Sequence, residues 1–237
     1  MNLRWEWEVF LRDTGGGETY LHWMFSAWGW TLTVAACAWI IAILFGAAIG
    51  TLRTVPSPWL ARLASAWVEL FRNIPLLVQV FLWYHVVPAL FTSLRNLPSF
   101  VLVVFALGFF TSSRISEQVK AGIRALPQGQ RHAGLAMGLT LAQTYRYVLL
   151  PMAFRIVIPP LTSEAMNIIK NSSVAFAVSI AELTMFAMQA QEETARGIEI
   201  YLAVTALYFV SAFAVNRAAL FIEERVQVPG MLLGGKP

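Results

Sequence analysis

The chain has 237 residues, of which 58% are hydrophobic and only 13% charged, about half the charged fraction of an ordinary soluble domain. Its mean hydropathy is +0.63, and its net charge is +4. Together these values exclude a soluble globular protein, and the placement of the cations argues against a nucleic-acid binder. The single cysteine, Cys37, excludes an intrachain disulfide framework or a cysteine-built metal site and reads as a small packing residue.

No Asp, Glu, Lys or Arg occurs from Trp23 to Leu52, Asn73 to Leu94, Asn96 to Ser113 or Ile200 to Asn216. A bilayer core is crossed by about 20 apolar helical residues, so these gaps predict an all-α integral membrane protein of about five transmembrane helices. The N-terminal "MNLRWEWEVFLRDTGGGE" lacks a basic n-region, and the apolar run behind it is too long for a cleavable signal. Residues 1–22 are therefore expected outside, with Trp5, Trp7 and Phe10 at the headgroup level.

Spans are predicted at about 24–51, 66–90, 99–119, 153–186 and 200–220. In the first, Gly46, Ala47, Ala48 and Gly50 offer a small-residue surface for close helix packing. Pro56 and Pro58 then stop the helix, and Pro75 is expected to bend span two near its entry. Between spans three and four lies a polar, cationic segment, 120–148, that reads as helix, break, helix. Gly138 suits the break because it tolerates positive φ, and Thr140 is a plausible N-cap. The second short helix should end before Pro151, and Pro159-Pro160 should break or bend span four. Residues 187–199 are expected to return outside, and 221–237 to form a tail.

Twelve of the 17 basic residues fall after span one, around the central segment or in the tail. Inner loops collect Lys and Arg, which puts the N-terminus outside and both the central segment and the C-terminus inside. Within the central segment, small residues Ala133, Gly134, Ala136 and Gly138 permit close approach, and Leu135, Leu139 and Leu141 form an apolar face. That describes a crosswise helix below the membrane, made either for a groove in a partner or for lipid headgroups.

The same stretch resembles the "EAA" loop of ATP-binding-cassette (ABC) importer permeases. His132-Ala133-Gly134, then Gly138, then Val148-Leu149-Leu150-Pro151 reproduce its spacing, with His132 in place of the glutamate and Gly134 in place of the second alanine. "VELFRNIPLLVQVFLWY", "SEQVKAGIRALPQGQ" and "NIIKNSSVA" are similar, in order, to segments of polar amino-acid permeases. "ILFGAAIGTLRTVP" and "LTSEAMNIIKNSS" resemble the membrane subunits of glutamate/aspartate importers. The resemblance implies a type I ABC importer permease (MetI-like) fold in a bacterial inner membrane, with a periplasmic N-terminus, a transmembrane domain over 23–220 and a cytoplasmic tail. It implies ATPase coupling through His132, Ala133, Gly134, Leu135, Gly138, Leu150 and Pro151. It implies three kinds of partner: ABC ATPase subunits carrying ATP and Mg, a second homologous permease or a copy of this chain, and a periplasmic solute-binding protein.

Ionisable residues inside a span usually face protein or a water-filled cavity. On a helical wheel Glu164, Asn171, Asn167 and Lys170 fall within an arc of about 120°, with Ser172 further round. This is the candidate substrate path, Glu164 suiting an ammonium and Lys170 a carboxylate; the alternative is that both charges only pair with neighbouring helices. Arg72, Arg114 and Glu117, near the membrane boundaries, are expected to form a gate or structural ion pairs. Glu182 is expected near the outer end of span four, facing a binding protein or solvent. No HExxH, GxSxG or GxxxxGK[ST] occurs, so neither a membrane enzyme nor ATP, cofactor or metal binding by this chain is expected. A secondary transporter is disfavoured by the absence of an inverted repeat.

Overall fold

The computed structural model describes residues 5–226; Arg4, Lys236 and most of the expected tail lie outside the described residues. Among those residues every regular element is helical, apart from one isolated bridge between Asp13 and Thr19. Four helices are long and apolar enough to cross a membrane, or five if a bent pair counts as one span.

Helix α1, Tyr20–Leu52, starts where the Thr19 hydroxyl accepts a hydrogen bond from the His22 N–H. It is apolar all round, as befits a helix with lipid on one side. Its inner stripe, Val34, Ala38, Ala42, Gly46 and Gly50, lies along α4, Ser99–Arg124, the most enclosed helix. A Cβ on Gly46 would stand 2.6 Å from Ile115, and one on Gly108 of α4 would stand 2.7 Å from Ile41 of α1. The small-residue surface thus brings two backbones together, as expected. That close approach gains dispersion contacts where lipid offers no hydrophobic driving force.

Span two bends at Pro75, as expected, and the bend is a sharp corner. Helix α2, Pro58–Asn73, and helix α3, Leu76–Leu90, meet at 105°. Pro75 lacks an N–H and forces Ile74 into extended backbone (φ −97°, ψ 130°). The carbonyls freed at the corner, those of Phe71 and Ile74, accept hydrogen bonds from the buried Gln79 side chain at 2.6 and 2.8 Å. Helix α2 is two-faced: Ala64, Val68 and Phe71 are buried, whereas Trp59, Leu60, Leu63 and Leu70 are exposed.

After α4 the chain turns at Pro127 into the short helix α5, Gln128–Ala136, and then into α6, a single helical run over Leu141–Val178. Here the structure corrects two expected breaks. Pro151 does not end a helix, because the turn before it, Tyr145–Leu149, is widened to the π form and accommodates a residue without an N–H. Pro159 and Pro160 also stay within the helix. The run tightens to 3-10 geometry over Ser172–Val178 and stops at Ser179, with φ 61°. Span four therefore ends eight residues earlier than the expected 186. The next residues are not a loop but helix α7, Leu183–Thr194, followed by α8, Gly197–Val226.

Among the described residues two large clusters of buried side chains hold the bundle, with a third, small one of Ile49, Ala64 and Val68 between α1 and α2. The larger joins α1, α3, α4 and α6. The second sits at the opposite end from α5 and packs Val9 and Phe10 of the N-terminal turn against Leu183 and Phe186 of α7 and Ile200 of α8. The turn is tied down at Glu6, whose carboxylate accepts from Arg196 and whose N–H donates to Glu199 at 3.0 Å.

Candidate functional site

The first element of the site is the crossbar at the end of α4. Helix α5 closes with a Schellman motif: Leu139 N–H donates to the Gly134 carbonyl at 3.2 Å and Gly138 N–H to that of Leu135 at 3.0 Å. Gly138 has φ 84°, the left-handed region that favours glycine. Thr140 then caps α6 in a reciprocal capping box with Gln143. The reversal and the cap expected from the sequence are both present.

This hairpin sorts the expected coupling residues. His132, Ala133, Leu135 and Met137 face outward, Met137 with 84% of its surface exposed. Gly134 faces inward, and a Cβ there would meet Thr144 of α6 at 2.9 Å. Its smallness serves the α5–α6 contact rather than an outer surface. Leu150 and Pro151 lie on α6, away from this outer face; Leu150 packs against the larger core and Pro151 is exposed.

The second element is a set of ion pairs on α4. Arg53, at the end of α1 and only 8% exposed, donates to Glu117 at 2.9 Å, to Ser65 at 3.3 Å and to Ser116 at 3.4 Å. Arg72 of α2 reaches the same carboxylate at 3.4 Å. Glu117 thus ties α1, α2 and α4 together. Arg53 reads in the sequence only as one of the inner-loop cations, because nothing there shows that the turn after α1 tucks it against α4. One turn earlier on α4, Arg114 donates to the buried Glu164 of α6 at 2.8 Å, and Gln118 adds a bond at 3.3 Å.

The polar arc on α6 therefore divides. Glu164 is held inward by Arg114. Lys170 is exposed and makes no ion pair among the described residues, while Asn167 and Asn171 are half-buried beside it. Ser172 is fully buried and donates to the Ile169 carbonyl at 2.7 Å, so its hydroxyl is committed to the helix. Glu182 does not face solvent. It is fully buried and caps α7, accepting from the N–H groups of Thr184 and Met185 and from the Tyr208 hydroxyl, each at 2.9 Å. Burial outweighs these bonds and pushes its carboxyl above the usual range.

Apolar spanning helices, a crossbar at one end and a charged seam in the wall define a multi-pass membrane transport component. The family "Binding-protein-dependent transport system inner membrane component" matches residues 23–228, and the chain belongs to it as an ABC-type amino-acid import permease of the inner membrane. It is a transport subunit, with ATP hydrolysis on a separate subunit. It is 41% identical, over the full length of both chains, to the glutamate/aspartate import permease protein GltJ of Escherichia coli K12. It is 32% identical to the probable glutamine ABC transporter permease protein GlnM of Bacillus subtilis, covering 83% of this chain and 90% of that one. Among solved structures, a chain of an amino acid ABC transporter with histidines matches with a TM-score of 0.75 and 31% identity, over 87% of this chain and 95% of the other. A chain of the inward-facing MetNI methionine ABC transporter matches at 0.76 and 22% identity, over 88% and 98%, and shares the fold.

Proposed function

We propose that this chain imports an acidic amino acid, glutamate or aspartate, as one of two permeases above a pair of ATPases and below a solute-binding protein. The full-length identity to a glutamate/aspartate permease supports the substrate, as does an exposed lysine in the wall of a spanning helix. The second permease, a homologue or a copy of this chain, covers the face of α6 that carries Asn167, Lys170 and Asn171. Lys170 attracts a substrate carboxylate, and the two asparagines offer hydrogen bonds. Glu164 takes no ammonium in this reading, because Arg114 already neutralises it. The concentration of Lys and Arg at the crossbar end supports a cytoplasmic position for that end.

The observation that carries the coupling role is the crossbar itself. Leu135 and Met137 are exposed apolar side chains on a helix of otherwise small and polar residues, suited to a groove on the ATPase. When ATP and Mg close the two ATPases, α5 is displaced. The displacement passes through the Gly138 turn and the capping box into α6, which bears the polar face. Alternating access follows as a rigid rocking of packed helices.

Uptake by vesicles containing the permease pair, the ATPase and the binding protein tests the substrate. Radiolabelled glutamate and aspartate are expected to enter; glutamine entry that excess glutamate does not compete away refutes the acidic reading. Leu135→Asp and Met137→Asp test the coupling. Both side chains are exposed, so insertion and melting should persist while ATPase association is lost. Retained association in both variants sinks the docking role of this face.

A further inference from the structure

A cavity of about 610 Å³ opens at the crossbar end, between the turn after α1, the end of α4 and the start of α5. Its volume lies within the roughly 300–1,000 Å³ typical of small-molecule sites. Arg53, Arg124 and Arg131 line it, and among the described residues no Asp or Glu does. Arg53 is already engaged by Glu117. Arg124 and Arg131 make no ion pair or side-chain hydrogen bond among the described residues, and the Nε of Arg131 is sealed from solvent without a partner. With no carboxylate in the lining to balance them, the Arg124 and Arg131 guanidiniums leave the cavity with uncompensated positive charge, which suits an anion.

The backbone around the cavity has the same polarity. Helix α2 begins at its rim with Ser57 at the N-cap, and the Ser57 hydroxyl makes no capping bond. Helix α5 begins there at Pro127 and Gln128, likewise without a side-chain cap. Two helix N-termini therefore add positive partial charge to that of the arginines. Val55, Ile123 and Leu149 add apolar surface to the lining. The exposed Trp59 and Leu63 of α2 continue the apolar surface beside the rim, as a helix lying at a lipid headgroup layer does.

We propose that this cavity binds a phosphate oxyanion, held by Arg124 and Arg131 with the Ser57 hydroxyl and the opening N–H groups of α5. The planar fork of guanidinium donors matches phosphate oxygens. The anion bridges the end of a spanning helix to the crossbar, so occupancy braces α5 against α4. Two sources carry this chemistry, the headgroup of an anionic phospholipid and free inorganic phosphate. The apolar part of the lining and the exposed face of α2 favour the lipid. The lining shares no residue with the proposed substrate path or with the exposed coupling face.

The test is thermal melting of the purified full-length chain in a neutral detergent. It is titrated with dioctanoyl phosphatidylglycerol, with zwitterionic dioctanoyl phosphatidylcholine, or with inorganic phosphate. At about five times its dissociation constant, phosphatidylglycerol should raise Tm by roughly 2–4 °C, with no matching rise from phosphatidylcholine. An equal rise with inorganic phosphate assigns the site to the soluble anion; a rise with phosphatidylglycerol alone assigns it to the headgroup. Arg124→Gln with Arg131→Gln should abolish the response. Ser57→Asp keeps an N-cap residue of equal rank and adds a negative charge at a helix N-terminus while placing a carboxylate at the rim, so basal melting should hold or rise while the response disappears. A response that survives both changes, equal responses to the two lipids, or no response to either phosphatidylglycerol or phosphate overturns the proposal.

Discussion

Replacing Gly50 by alanine tests the close approach of α1 to α4. A Cβ at Gly50 would lie 2.7 Å from Val119 Cβ and 2.8 Å from the Ser116 carbonyl oxygen. Carbon contacts settle at about 3.5–4.0 Å, and neither neighbour is the free end of a flexible side chain. Helix α1 must therefore retreat by about 1 Å. Overpacking of this kind costs about 1–3 kcal/mol. The same retreat draws Arg53 away from Glu117, now 2.9 Å distant, and weakens a charge-assisted bond by about 1 kcal/mol more. Against this, alanine in place of glycine in a helix gains about 0.5–1 kcal/mol. The net loss of about 1–3 kcal/mol should lower Tm by roughly 3–10 °C. Gly29, on the same helix, has nothing within 4 Å of its missing Cβ and supplies the control. Gly29→Ala should leave Tm unchanged or raise it by roughly 1–3 °C. Tryptophan fluorescence during a thermal ramp in one detergent compares the two. If Gly50→Ala melts as high as Gly29→Ala, the tight packing of α1 on α4 is wrong.

Further outcomes follow from the charged seam and the buried carboxylates. Arg114→Gln and Glu164→Gln should be non-additive by about 1–3 kcal/mol in a double-mutant cycle of stabilities; additivity within about 0.5 kcal/mol would show that the 2.8 Å pair contributes nothing. Lys170→Met should cut acidic amino-acid uptake at least about tenfold, the loss expected for one charged hydrogen bond, with ATPase assembly intact; unchanged uptake removes Lys170 from the path. Glu182 lies outside the spanning helices, and burial raises its carboxyl pKa. The folded chain then binds the proton more tightly than the unfolded chain, so stability is fullest below the ordinary carboxyl range and declines as pH rises through the raised value. Melting from pH 4 to 8 should show that decline in the wild type and a flatter profile in Glu182→Gln; parallel profiles refute it.

Much of the fold was legible because the sequence carries simple physical signals. Gaps in charge marked the spans, glycines at positions 46 and 50 marked the α1–α4 contact, and Gly138 with Thr140 marked the reversal. Pro75 was read correctly as a bend, but Pro151 was not, because a proline's effect depends on the turn around it. Pro75 makes a corner because the Gln79 amide donates to the freed carbonyls, whereas Pro151 makes none because a π turn precedes it. The helical wheel located Glu164 and Lys170 on one arc of α6. Their different fates depend on Arg114, fifty residues upstream and on another helix, which no local pattern discloses. Arg53 and Glu182 stayed hidden for the same reason: each is defined by what tertiary structure folds over it.

Helix α6 runs 38 residues without an interruption, about 57 Å at helical rise. Lys170 stands about 45 Å along that shaft from its capped end. A continuous rod carries twist as well as thrust, so a small roll at the base swings every side chain on the shaft through the same angle. On the proposed reading, signal and cargo then share one drive train, and a softening substitution at any point along it, however far from either end, should blunt the stroke.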